Sequence, residues 1–473
     1  MIRCDAPLTR AILAAAALQC AAAAAGAPDS TARRPQTLPD STTVERWRLG
    51  NGLRVVAQSI PRAAGIAVTV AYPAGSDADP PRRRGLARLL AEVQMMGPAG
   101  EMPERSRAEM ESLRPLGWSL VVGRNATRLS EVATRAQLPG VLRQVAARMR
   151  GVTVSGAALQ SALASVRRDL GAQLFGSVEQ SLHYQAREYA AGYEPNAILD
   201  LAEARDLERV APPELQGALR TVFAPSQAVL ALAGDLGGLD LHALIQAEFG
   251  GVPGAPGPAR DSLDGVAGGA PAAPPRDRFH PGFHVAPRND VDRPVGVLAV
   301  EAPALTDTLH PSFFLCMLLI GDFCKQNWSI SSAVQSRFSY SILEEPDLVR
   351  FYPDVQPDST DAGALANRLM ETLTLLQGMV VPLSEYDDYR RNVLWLLGGP
   401  MPRHVAVQVS RDPAALNLVC NHLAARELTG GEAFWSEYRR RFLARGDPRL
   451  ELWGRYLARP DHQAALLFTP SHK

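Results

Sequence analysis

Apolar positions along this chain switch repeatedly between strand-like runs and a helical spacing, and the switches predict its elements. VERWRLGNGLRVVAQSIP holds a hairpin-type turn signal at Asn51-Gly52, and LRVVAQSI after it reads as a strand. GIAVTVAYPAG, Gly65 to Gly75, is apolar enough to predict a buried strand. From Gly85 the spacing becomes helical in GLARLLAEV. SRAEMESLRPLG predicts a further helix, opened by Ser106 and closed by Gly117. WSLVVGRNATRLSEVAT is strand-like again. Helices follow over 137–150 and 155–190, then a buried strand in SQAVLALAGDL and a closing helix in DLHALIQAEFG.

Residues 251–278 interrupt this pattern. They are Gly, Pro and Ala with almost no large apolar side chain, so they build no core and read as a semi-stiff linker. Beyond them the cycle restarts. GFHVAPRNDVDRPVGVLAVEAPAL predicts strands, FFLCMLLIGDFC a buried helix and YSILEEPDLVRFYPDV strands. Long helices over 360–400 and 410–445 and a last strand in QAALLFTP complete it. The repeated order predicts an α+β class built from two like units, 44–250 and 279–473, each a mixed or antiparallel sheet packed with helices. The letters of the two halves are too different to show a duplication by themselves.

The N-terminus stands apart from the fold. Arg3 and Arg10 flank a short basic region, AILAAAALQCAAAAAGA is small and apolar, and A-x-A-like choices lie around Ala25 and Ala27. This predicts a cleaved secretory signal over 1–27 and a loose polar leader over 28–43. Cys20 fits a lipoprotein site poorly, because Gln19 stands where a small residue is wanted. No later segment is long and apolar enough for a second membrane anchor. Loss of the signal leaves Cys316, Cys324 and Cys420, an odd number that cannot all pair within one chain. Cys316 and Cys324 fall two turns apart on one helix, too far to bond, so buried thiols are expected.

Composition adds exclusions. The chain has 473 residues, with 49 Lys and Arg against 49 Asp and Glu, so no basic excess is available to neutralise nucleic-acid phosphates. His280 and His284 are four apart, but HPGFH contains Pro and Gly and predicts a loop rather than a metal-binding helix face.

Several runs, in order, resemble the M16 family of metallopeptidases (the insulinase and pitrilysin group) in its short bacterial form. NGLRVV is similar to the family's opening strand. PAGSDADPPRRRGLARLLAEV resembles its Gly-Ser, acidic-Pro, Gly-Leu-Ala-His-x-x-Glu-His run. YEPNAILDLAEARDLERVAPPELQGALRTVFAPSQAVLALAGDL resembles the stretch that closes its first domain. The resemblance implies two α+β domains joined by a linker. In the family, two histidines of His-x-x-Glu-His bind zinc, the Glu between them takes a proton from the zinc-bound water, and a Glu from a later helix is the third ligand.

Carried over residue by residue, that motif is absent. Arg88 stands at the first His, Ala91 at the Glu, Glu92 at the second His, and Asp169 at the third ligand. Ala91 cannot accept a proton, and a permanently cationic Arg88 repels Zn²⁺. The resemblance therefore implies no cofactor in this chain, with zinc expected only in a partner subunit. Arg88 and Glu92 form an i,i+4 pair that Asp169 should face from the neighbouring helix. Arg88 then either bridges both carboxylates at the former metal position or is a solvated member of the basic run RRRGLAR.

Inactive members of the family pair with a zinc-bearing subunit and contribute an Arg and a Tyr from their second domain. In NWSISSAVQSRFSYSIL, Tyr340 matches the Tyr, but the Arg position falls near Trp328, and Arg337 lies out of pattern. Tyr340 is thus a substrate-binding candidate or a core strand tyrosine. Three readings follow. The first is a non-catalytic subunit of a periplasmic M16 heterodimer with a peptide substrate. The second is a stand-alone peptide-binding or scaffold protein. The third is a peptidase using residues not recognisable in the sequence.

Overall fold

The structure is a computed structural model that describes residues 43–80, 83–192, 207–254, 279–328, 333–354, 362–378, 383–444 and 449–471. The expected signal peptide, the leader up to residue 42 and linker residues 255–278 lie outside the described residues. In the first half, β1 (Thr43–Arg48) and β2 (Arg54–Ser59) form a hairpin around Asn51-Gly52. Gly52 has φ +91°, a backbone conformation that favours glycine. Then come β3 (Ile66–Tyr72), α1 (Leu86–Met96), α2 (Arg107–Leu113), β4 (Trp118–Val122) and β5 (Thr127–Ala133). They are followed by α3 (Leu138–Arg150), α4 (Gly156–Phe175), α5 (Val178–Ala190), α6 (Pro212–Val222), β6 (Val229–Gly234) and α7 (Leu241–Phe249).

The second half runs β7 (Gly282–Arg288), β8 (Val295–Glu301), α8 (His310–Asn327), β9 (Phe338–Ser341) and β10 (Glu345–Phe351). It continues through α9 (Ala362–Gly378), α10 (Leu383–Val393), α11 (Arg403–Val409), α12 (Pro413–Leu428), α13 (Gly431–Leu443), α14 (Leu450–Leu457) and β11 (Gln463–Pro470). Most expected elements are present. The single helix expected over 155–190 is two helices: at Gly176 the backbone leaves the helical region with ψ −139°, in a turn so tight that a Cβ there would meet the Ala172 carbonyl oxygen at 2.2 Å. Ser177 starts the second helix by accepting a hydrogen bond from the Gln180 N–H. The stretches expected over 360–400 and 410–445 are divided as well, into α9 and α10 and into α12 and α13, and helices α6 and α11 were not anticipated; nor was α14. It is eight residues long, too short for periodicity to announce, and buries Trp453 and Leu457.

Strand order shows a duplication that the letters hide. The first sheet runs β1-β2-β6-β3-β5-β4 and the second β7-β11-β8-β10-β9. Without β1, the two orders match position for position. In each, the first pair is parallel (β2–β6 and β7–β11) and the remaining pairs are antiparallel. The fold is thus α+β with two mixed sheets of the same topology.

Each sheet is apolar on both faces, and each half covers only one face of its own sheet. IAVTVAY of β3 and VLALAG of β6 are buried at every position. Their second face is covered by α12 of the other half, which sets Leu416, Val419, Cys420, Leu423 and Ala424 against Val56, Ala67, Ala71, Val229, Ala231 and Ala233. The small residues on both sides let the helix approach closely enough for the Cys420 thiol to reach the Ala67 and Ala231 carbonyl oxygens, each at 3.4 Å. In return α5 of the first half covers β8 and β11, packing Leu182 and Ala186 on Val297, Ala299, Leu466 and Phe468. β8 and β11 occupy the same two places in the second sheet that β3 and β6 occupy in the first. Polar contacts fix the exchange: Ser130 donates to Asn421 Oδ1 at 2.8 Å, and His183 meets the Tyr352 hydroxyl at 2.9 Å.

Cys316, Cys324 and Cys420 are buried free thiols. Cys316 and Cys324 share α8, and burial pushes the Cys324 and Cys420 thiols up to about 12. Among the described residues burial holds three histidines neutral, and His183, with Arg350 nearby, is lowered to about 3. Burial lowers His310 to about 4, and burial, with Arg128 and Arg426 nearby, lowers His422 to about 3.

Two predictions follow from this packing. Leu416→Ala, at a fully buried position, should cost about 2–5 kcal/mol. Because Leu416 sits in the second half and packs on the first sheet, urea unfolding should remain one transition by fluorescence and circular dichroism; two separated transitions would contradict the exchange. For His310 and His422 the folded pKa lies below the unfolded value of about 6.5. Their contribution is therefore complete above pH 6.5 and is lost as pH falls toward 4. A urea midpoint that falls less from pH 7 to 4 in a His310→Phe/His422→Phe variant than in the parent would confirm the assignment, and an equal fall would contradict it.

Candidate functional site

Helix α1 is entered through Gly85, at φ +90°, and is capped from a distance. The buried Asp79 carboxylate accepts hydrogen bonds from the Gly85 N–H at 2.7 Å and the Ala87 N–H at 2.6 Å, satisfying donors that a helix start leaves open. Along α1 every residue is buried except Arg88. The Ala91 methyl, at the position of the family's proton acceptor, lies wholly within the first half's core.

Arg88 takes the bridging arrangement. Its Nε donates to Glu92 Oε1 at 3.1 Å, one turn along the same helix, and its Nη2 pairs with the Asp169 carboxylate of α4. Its Nη1 reaches the Leu120 carbonyl oxygen of β4 at 3.5 Å. Glu92, 2% exposed, lies at the bottom of the cluster, and a lone buried carboxylate would be costly. Its Oε1 also accepts from the Ser165 hydroxyl at 3.0 Å and pairs with Arg107.

Arg107, Ser165 and Trp118 were not visible as site residues in the sequence. Arg107 is the first residue of α2, held there by the reciprocal Ser106–Glu109 capping box. Its guanidinium donates to Ser165 Oγ, lies 3.8 Å from Asp169 and sits 5.5 Å from the centre of the Trp118 ring. The capping box marks where α2 begins, but no spacing in the chain links Arg107 to Glu92. A second ion cluster fastens α2. Arg114, just beyond its end, and Arg148 of α3 both pair with buried Glu131 of β5. Burial alone would raise the Glu131 carboxyl, but Arg148 and Arg114 outweigh it and hold the group below its ordinary value.

The donor set does not fit zinc. Two carboxylates and no imidazole face the position, and two guanidiniums already occupy the carboxylates. Among the described residues no group of three or more His, Cys, Asp or Glu side chains is placed to hold a metal. His284 lies on strand β7, so His280 and His284 share no helix face.

Tyr340 lies on β9, away from this cluster and partly buried in the second half's core. Its hydroxyl donates to the Pro346 carbonyl oxygen at 3.1 Å and lies 3.0 Å from His310 Nε2. His310 Nδ1 is 2.6 Å from the Tyr438 hydroxyl. Because the single Tyr340 proton goes to Pro346, neutral His310 carries its hydrogen on Nε2 and accepts from Tyr438 on Nδ1. The hydroxyl is thus engaged inside the core, as in the core-strand alternative. Trp328 is buried and donates to Thr372 Oγ1 at 3.0 Å. Residues 329–332, beside it in the family's Arg region, lie outside the described residues.

The bridge makes one prediction. In a double-mutant cycle, Arg88→Ala and Asp169→Ala should show a coupling of about 1–2 kcal/mol, between the values of exposed and buried pairs. Unfolding midpoints of the four proteins measure it, and additive effects would show that the pair contributes nothing.

No protein-family model matches this sequence, and no curated protein sequence does. Solved structures do match its fold. A protease from Helicobacter pylori is 14% identical, with TM-score 0.64, over 92% of this chain and 100% of that one. The periplasmic protease PqqL from Escherichia coli is 14% identical, with TM-score 0.63, over 93% of this chain and 48% of that one. This chain thus spans about half the length of PqqL. A peptidase M16 inactive domain from Pseudomonas fluorescens is also 14% identical, with TM-score 0.58, over 91% of this chain and 98% of that domain. With the duplicated sheets and the arginine bridge in place, these likenesses give one structural conclusion: over 92% of its length the chain has the fold of the M16-like peptidases.

Proposed function

We propose that this chain is a non-catalytic M16 homologue that pairs with a zinc-bearing M16 subunit to enclose a peptide. The observation that carries the reading is the guanidinium of Arg88 between Glu92 and Asp169, with the Ala91 methyl where a base would be needed. Hydrolysis in this fold would require a Lewis acid to activate water and a group to take its proton. The chain supplies neither a ligand set for the first nor an acceptor for the second. What it retains is the fold around the position, held by ion pairs in place of metal bonds.

The pairing is supported by size and by neighbours. PqqL has about twice the span of this chain, so a chain of this span corresponds to half of such a protease. The inactive domain from Pseudomonas fluorescens shows that the fold also occurs in inactive form. The sequence-based secretory signal and the periplasmic location of PqqL support a periplasmic site of action. Among the described residues no helix is long and apolar enough to cross a membrane.

Elemental analysis of the purified mature chain, expressed alone, tests the reading. Less than about a tenth of an equivalent of zinc per chain is expected. About one equivalent that survives mild chelation would overturn it. Co-purification with an intact zinc-bearing M16 chain from the same genome is the expected second result. A zinc-free chain that forms no such complex would favour the stand-alone binding protein instead.

A further inference from the structure

The arginine cluster has an inner and an outer layer. Glu92 is sealed at 2% exposure, whereas the side chains of Arg88, Arg107 and Asp169 are 23%, 34% and 32% exposed. The solvent-facing layer therefore holds two guanidiniums and one carboxylate, and the sealed Glu92 brings the four groups to no net charge. Donor capacity is left over. A guanidinium has five N–H donors. Arg107 spends Nε and Nη2 on Ser165 and Glu92, and its Nη1 has no partner among the described residues. Arg88 Nη1 has only the long contact to Leu120. Both guanidiniums are held in place from below by Glu92, so little orientational entropy remains to be lost on binding.

The surroundings suit an extended chain more than a free ion. The cluster borders β4, the last strand of its sheet, whose outer edge faces no other described strand. The half-buried Trp118 ring, at the start of β4, forms an apolar wall beside Arg107. From this geometry we propose that Arg88 and Arg107 form a receptor for a carboxylate of an acidic peptide lying alongside β4. The carboxylate comes from an Asp or Glu side chain or from a C-terminus. This rests on the reading above, that guanidiniums have taken the place of the metal, and adds a ligand class to it. Arg107 Nη1 donates to one carboxylate oxygen and Arg88 Nη1 to the other, while Asp169 keeps the two guanidiniums from repelling each other.

The test uses the full mature chain, with its zinc content measured in the same preparation. Dye-labelled peptides with a central Asp-Glu or its Asn-Gln counterpart, each with a free or amidated C-terminus, are titrated by fluorescence anisotropy. The acidic peptide should bind at least about tenfold more tightly than its neutral counterpart. The contrast should shrink with added salt. A contrast that follows the side chains identifies them as the source, and one that follows amidation identifies the C-terminus. Arg107→Gln should bring the ratio close to one. Arg107→Lys, which keeps the charge but loses the planar fork, should keep the salt dependence and part of the contrast; it also serves if the Gln variant fails to fold. Equal affinity for all peptides, no binding of any peptide, or an unchanged ratio in Arg107→Gln would overturn the proposal. With zinc absent, any of those outcomes leaves the non-catalytic reading standing; an equivalent of zinc removes that reading itself.

Discussion

Two sheets, each apolar on both faces and each covered by its own half on only one, set the constraint on which this molecule depends. Open sheets with continuous apolar strands need cover on both sides, because apolar area left in water costs roughly 25 cal/mol per Å². Here the missing layer comes from the opposite half: α12 lies on β3 and β6, and α5 lies on β8 and β11. The halves share one topology yet are not independent packing units. The Gly/Pro/Ala composition of 251–278 suggests two separable domains, but the exchange makes each half part of the other's core.

The same constraint positions the site. α1 packs on the face of the first sheet that its own half covers and is buried except at Arg88, and α4 packs on α1 with Asp169 turned toward Arg88. Asp79 caps the start of α1, the Ser106–Glu109 box holds the start of α2, and Glu131 ties down Arg114 at its far end. Three helices thus deliver Glu92, Arg107, Ser165 and Asp169 to one point. A metal could join such helices by coordinating side chains from each. Here two guanidiniums do so through charge-assisted hydrogen bonds to carboxylates, which needs no imidazole and creates no acidic water.

A metal ion and an arginine pair differ in what they can recognise. A metal with an open coordination site attracts lone pairs and polarises carbonyls. A pair of oriented guanidiniums, one with an Nη1 that has no partner among the described residues, presents an array of donors that suits planar carboxylates. The frame is that of an M16-like peptidase. The Ala91 methyl fills volume within the first half's core.

By itself the sequence determined the order of strands and helices, because patterning has a local cause in side-chain alternation and helical spacing. It also set Arg88, Ala91 and Glu92 in one short run, with Asp169 at the interval that the family resemblance implies. The break at Gly176 and the short helices α6, α11 and α14 escaped, because a single backbone turn and helices of two or three turns leave little trace in periodicity. Only the tertiary structure decided that the sheets are duplicates, because strand order is a property of pairing rather than of letters. It alone chose between a bridging and a solvated Arg88, and it alone brought Arg107, Ser165 and Trp118 to Glu92. Those contacts join α1, α2, α4 and β4, and their distances depend on how the layers pack, which no spacing along the chain records.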